Sequence, residues 1–175
     1  MTIQEVLTRV LEYHPDLGEG YDGCDGIKQG DSSQECTGIV SALVPTVDVI
    51  RKTIERKANL LYVHEPTSYL TPDWPEWKAD YECSVYQEKL KLIKENRIVV
   101  VRDHDHMHAH NPDSIFTGVL KYLGWQKYLT EEQRIPFGYV ICFPEAKKLK
   151  EINQELIEKS RNAGAAFYRK PGSRV

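Results

Sequence analysis

The sequence predicts an α/β domain built on a mostly parallel sheet flanked by helices. Three observations lead there. Short apolar runs recur at 37–44, 60–63, 98–102 and 137–143. Amphipathic segments with helical spacing separate them, so the hydrophobic period switches repeatedly between the two types of element. Two of the runs end abruptly in polar clusters, at His64-Glu65-Pro66 and at Asp103-His104. Ligands of open sheets bind beyond the carboxyl ends of the strands, which puts both clusters on one sheet edge.

Thr2-x-x-Glu5 reads as a capping box. It opens a helix whose Ile3, Val6, Leu7, Val10 and Leu11 share one face, and His14-Pro15 ends it. Residues 17–34 are rich in Gly and Asp and read as loop. After the strand at 37–44, Thr46 caps a helix through about Lys57. Leu60-Leu61-Tyr62-Val63 is a short buried strand. Residues 66–79 hold Pro66, Pro72, Pro75, Trp74 and Trp77 and fit no regular element. Two readings stay open there, a lid beside the polar strand end or a loop packed on its own tryptophans. Asp80 starts a helix through Asn96, and the strand at 98–102 runs directly into Asp103–His110. Asn111-Pro112 is a cap and first-turn pair for a helix that closes at Gly124. Beyond the strand at 137–143, a polar amphipathic helix spans Glu145 to about Asn162, and a last strand is expected at Ala165–Tyr168.

A chain of 175 residues suits one domain, here 1–175, with a real core. With 41% hydrophobic and 28% charged residues it matches neither disorder nor collagen nor coiled coil. A net charge of −3 implies no polycationic face and argues against a nucleic-acid partner. The start, Met1-Thr2-Ile3-Gln4-Glu5, predicts no signal peptide. No apolar run is long enough for a membrane span, so no membrane partner and a cytoplasmic location are expected. Cys24, Cys36, Cys83 and Cys142 form no C-x-x-C pair. They read as reduced, with Cys83 and Cys142 expected in apolar surroundings.

The chemistry concentrates in Arg102-Asp103-His104-Asp105-His106-Met107-His108-Ala109-His110, which holds four of the six histidines. On an extended backbone His104, His106, His108 and His110 share one face, and Asp103 and Asp105 the other. Neutral imidazole is a common ligand of divalent metals, and carboxylates suit a harder position. The plain alternative is a solvated histidine loop. An independent His64-Glu65 at a neighbouring strand end favours a metal site. In the acidic loop, Asp22, Asp25 and Asp31 lie among Gly20, Gly23, Gly26 and Gly30. They read as a turn-rich connector, with a contribution of Asp25 to the metal as the alternative. The spacing matches neither an EF-hand nor a phosphate-binding Walker loop. Nothing in the sequence marks a base that would activate Cys24.

These motifs resemble the NIF-three-like proteins, a family of hexamers with a dinuclear metal centre whose members are known as GTP cyclohydrolase type-two homologues. The likeness lies in Asp25-Gly26-Ile27-Lys28-Gln29-Gly30-Asp31, in a strand leading to His64-Glu65-Pro66, and in a strand leading to His104-Asp105-His106-Met107-His108. Gly118 and Leu123-Gly124 extend it, so it covers roughly residues 1–125. Glu65 stands where the family has a second His, and His108 where it has an Asp. By position the resemblance assigns metal-ligand roles to His64, Glu65 and His108 and a site role to His104. Asp105 and His106 have no family equivalent as ligands; His106 is a candidate ligand on the alternating pattern alone.

The resemblance implies a layered NIF-three-like fold and a toroidal homo-oligomer. It also implies a divalent ion, with Zn, Fe, Mn and Ni as candidates. The family's second half, which returns a His and a Glu to the site, has no counterpart before Val175. One tightly held ion per chain at most is therefore expected, with any second ion weak and water-rich. The leading reading is a metal-dependent hydrolase of a small-molecule substrate, in which the ion polarises a carbonyl or phosphoryl oxygen. Glu65 is then a ligand or the general base, and Asp105 orients a ligand histidine. The alternative is a non-catalytic metal-binding scaffold or regulatory interaction protein.

Overall fold

A computed structural model describes residues 1–67, 84–130, 134–135 and 138–162. The loop at 68–79, Cys83 and the strand expected at 165–168 lie outside the described residues. The chain divides into two compact units, Met1–Ser114 and Ile115–Val175.

The first unit runs α1 (Ile3–Leu11), β1 (Gly26–Gln29), β2 (Ile39–Ala42), α2 (Val47–Glu55), β3 (Leu60–Val63), α3 (Ser84–Glu95), β4 (Val99–Arg102) and α4 (Asp105–Ala109). Among the described residues the sheet order is β1-β4-β3-β2. The β2–β3 and β3–β4 pairs are parallel, with Leu60 opposite both Ile39 and Val99. The sheet is thus mostly parallel, and β1 joins it antiparallel to β4. That strand corrects the loop reading of 17–34. Its four residues, Gly-Ile-Lys-Gln, carry no strand-like alternation, so only pairing with β4 shapes them. Gly30, at φ +88°, closes the strand where a Cβ would meet the Ile98 carbonyl oxygen at 2.6 Å.

Both faces of the sheet are covered. Leu61, Val63 and Val100 pack with Ile50 of α2 and Ile93 of α3 on one side. Leu60, Val99 and Val101 pack with Ile3 and Leu7 of α1 on the other. This is why β3 and β4 are near-continuous apolar runs. The expected capping box is present: Glu5 N–H donates to Thr2 Oγ1 at 3.2 Å, and Thr2 N–H to Glu5 Oε2 at 2.8 Å. Thr46 caps α2 in the same way, accepting from Val49 N–H at 3.2 Å.

The second unit holds α5 (Ser114–Leu123), a short hairpin of β5 (Arg134–Ile135) and β6 (Gly138–Tyr139), and α6 (Leu149–Asn162). Helix α5 starts two residues after Pro112, later than the expected Asn111-Pro112 cap. The strand expected over 137–143 is described only at Gly138–Tyr139, and it pairs within its own hairpin. Beyond it, Ile141 and Phe143 pack on Leu120, Leu123 and Trp125. Cys142 lies between them and is exposed, which corrects its expected apolar packing: its two neighbours take the places against the core. No helix among the described residues is long and apolar enough to cross a membrane.

Candidate metal centre

Strands β3 and β4 are parallel neighbours, so the residues following them emerge at one sheet edge. His64 follows Val63, and the His104–His110 segment follows Arg102 and Asp103. That segment is helical, not extended, from Asp105 to Ala109, which overturns the expected single row of histidines. The reason lies about eighty residues away in sequence. The Asp25 carboxylate accepts the backbone N–H of His104 at 2.6 Å, of Asp105 at 3.0 Å and of His106 at 2.9 Å. These are donors that the start of a helix leaves orphaned, and a carboxylate satisfies them best.

Helical geometry sorts the histidines by fours rather than by twos. His104 and His108 turn to His64. The three rings have centroids 4.4 Å (His64–His104), 5.1 Å (His64–His108) and 4.8 Å (His104–His108) apart. Their ligand atoms all lie within 4.8 Å of one another. His106 and His110 turn instead to His14, with centroids at 5.8 and 5.0 Å. The structure thus brings His64, His104 and His108 together and places His106 in a different group, with Asp25 and Asp103. Glu65 is held by its N–H on the Leu43 carbonyl at 2.8 Å, and its Oε1 is 3.7 Å from His64 Nδ1. It stands beside the trio, not within it.

The donor chemistry suits a divalent ion. His104 Nδ1 meets Asp105 Oδ1 at 2.9 Å, and His108 Nδ1 meets Asp113 Oδ2 at 2.6 Å. A carboxylate on one ring nitrogen fixes the tautomer and leaves Nε2 as a lone-pair donor. The Nε2 atoms of His64 and His108 are 3.2 Å apart. Two nitrogens bound tetrahedrally to one zinc ion stand about 3.3 Å apart. Burial holds His64 below the usual histidine range, helped by the neighbouring His104, so it stays neutral as a ligand must. Asp113 was not singled out in the sequence. Its only signal there is a carboxylate five residues after His108, which gains meaning only once α4 is helical.

The loop around Cys24 closes on the same assembly. Asp105 Oδ2 accepts from Tyr21 Oη at 2.6 Å and from Cys24 N–H at 3.2 Å. Burial opposes ionisation of Asp105, yet Tyr21, the His104 ring and Cys24 hold it well below the usual carboxylate range. Burial pushes the Cys24 thiol up to about 12, with Asp105 adding to the effect. That shift favours the protonated thiol, in line with the lack of an activating base in the sequence.

Several known proteins are similar to this chain. A "GTP cyclohydrolase 1 type 2 homolog" of Clostridium acetobutylicum is 26% identical over 128 residues, 73% of this chain and 45% of the relative. The chain thus spans less than half the length of that curated relative. Among solved structures, a Bacillus cereus protein related to NIF3 matches with a TM-score of 0.57 at 20% identity, over 72% of this chain and 33% of its own. Reduced HcgD from Methanocaldococcus jannaschii matches with a TM-score of 0.58 at 18% identity, over 90% and 60%. At these identities the likeness concerns the fold alone. The model of the Duf34/NIF3 (NGG1p interacting factor 3) family matches residues 1–175, and the chain belongs to that family.

Proposed function

We propose that this chain binds a divalent metal through His64, His104 and His108 and acts as a metal-dependent hydrolase of a small molecule. The observation that carries the reading is the convergence of three imidazoles, two of them with Nδ1 tied to a carboxylate. Three protein ligands leave a coordination position open, the pattern of catalytic rather than structural sites. The ion, when bound, supplies Lewis acidity. Asp105 and Asp113 hold the two helical imidazoles in register. Glu65, partly exposed beside His64, is the proposed general base. Zn, Fe, Mn and Ni all suit imidazole donors. The homo-oligomer and the cytoplasmic location remain parts of this proposal. The name of the clostridial relative makes GTP one substrate to test.

A non-catalytic scaffold is the second reading, and one distance favours it. Glu65 Oε1 lies 3.7 Å from His64 Nδ1, and a side-chain rotation that carried it round to the Nε2 edge would close the coordination shell. Cobalt substitution separates the two readings. A spectrum that shifts when a small anion is added means an open position and supports the hydrolase. An anion-insensitive spectrum supports the scaffold. Turnover of GTP or of simple phosphoesters by the loaded protein, lost in Glu65→Gln with metal retained, is the result expected. No metal in the purified, tag-free protein, and no uptake on titration, overturns both readings.

A further inference from the structure

We propose that the opposite side of α4 carries a second divalent-cation site, held by Asp25, Asp103 and His106. Each residue offers a ligand atom within 4.8 Å of the others. The independent observation is Asp103. The residue is 3% exposed, and its Oδ1 is buried with no hydrogen-bond partner among the described residues. Its other oxygen is fully engaged, by the Tyr62 hydroxyl and by His14 Nε2 at 3.0 Å. A buried carboxylate oxygen without a donor costs free energy unless a cation or a proton meets it.

The surroundings favour a cation. The Asp25 side chain is 5% exposed, and so is that of Asp103, so two carboxylates are withdrawn from water side by side. Asp25 is fixed in place there, since its carboxylate accepts the backbone N–H groups of His104, Asp105 and His106. His106 Nδ1 lies 2.6 Å from Asp25 Oδ2. A divalent ion bound here would take both atoms, together with Asp103 Oδ1, with the imidazole proton carried on Nε2 so that Nδ1 is the donor. Tyr62 and His14 then hold Asp103 by its second oxygen, as outer partners hold a ligating carboxylate.

The site also has a way in. A cavity of about 340 Å³ borders Asp25, Asp103 and His106 directly, with Tyr21 and Tyr62 beside them. It has room for the waters that would complete the coordination. Two carboxylates and one imidazole form a harder donor set than three imidazoles, so Mn²⁺ is the preferred probe. This ion lies off the ligand set that the family resemblance assigned.

The test is a titration of the metal-free full chain with Mn²⁺, followed by the loss of the free-ion electron paramagnetic signal. The wild type should take up Mn²⁺ in two classes of site. His64→Ala should lose one class and keep the other, so failure of the first centre leaves this proposal intact. Asp103→Asn and His106→Gln should each lose the second class and keep the first. Uptake unchanged in both of these variants overturns the proposal. Should Asp103→Asn fail to fold, the His64→Ala protein carries the test. Bound Mn²⁺ should broaden the ring resonances of His14 and His106 there, and sharp resonances at saturating Mn²⁺ overturn the site.

Discussion

The two sides of α4 use the same residue types in reversed roles. Toward His64, imidazoles point inward and carboxylates stand behind them: Asp105 behind His104, Asp113 behind His108. Toward β1, the carboxylates of Asp25 and Asp103 lie innermost, and His14, His106 and Tyr62 surround them. Exposure follows the same division. The side chains of His104 and His108 are 31% and 32% exposed, and those of Asp25 and Asp103 are 5% each. One side is an accessible soft donor set, the other a buried hard one. The difference comes from helical pitch acting on an alternating sequence, which splits four histidines into two pairs.

Asp25 joins the two sides, so its loss should have the largest effect. Asp25→Ala removes three charge-assisted caps from the start of α4 and should cost about 3 kcal/mol of stability by denaturant unfolding. Metal uptake at His64 should fall with it, because His104 and His108 lose their common helix. The pH dependence has a definite sign. The folded Asp25 carboxyl is held below its unfolded value, so its stabilisation is present above about pH 3.9 and is lost as pH falls through the folded value. Acid unfolding of Asp25→Ala should lack that component. An unchanged acid transition would mean that α4 does not depend on this cap.

Ligand removal should come next. His64→Ala and His108→Ala should each weaken metal binding at the first centre by well over an order of magnitude, read by calorimetry at pH 7.5. Wild-type affinity should itself drop at pH 5.5, since the ion competes with protons for the imidazole nitrogens. Equal affinity in both variants would mean that these imidazoles do not hold the ion. Asp113→Asn should act more mildly, lowering affinity by about 10–100-fold through a misoriented His108. Loss of folding stability without loss of affinity would show that Asp113 serves only the loop before α5.

The smallest effect sharpens the division by face. His110 touches His14, at 2.8 Å between Nε2 and Nδ1, and none of the first trio. His110→Ala should therefore leave metal affinity at the first centre unchanged and cost no more than about 1 kcal/mol. A loss as large as that of His108→Ala would mean that the segment is extended after all.

Some of this was legible in the chain alone because it depends on neighbours in sequence. The apolar runs at 60–63 and 98–102 announce β3 and β4, since buried parallel strands need both faces apolar. Thr2 with Glu5, and Thr46, announce helix starts within a single turn. Placement of His64 and His104 after adjacent parallel strands followed from those runs. What the chain alone could not decide depends on partners far apart. Strand β1 exists because β4 offers it an edge, and its own four residues have no strand pattern. The helical state of 105–109 depends on a carboxylate in a loop near the start of the chain. Five residues are too few to form a helix on propensity, so the cap and the surrounding packing settle it. That long-range contact, together with the packing around it, decided which histidines meet His64, which meet Asp25, and which carboxylates stand behind them.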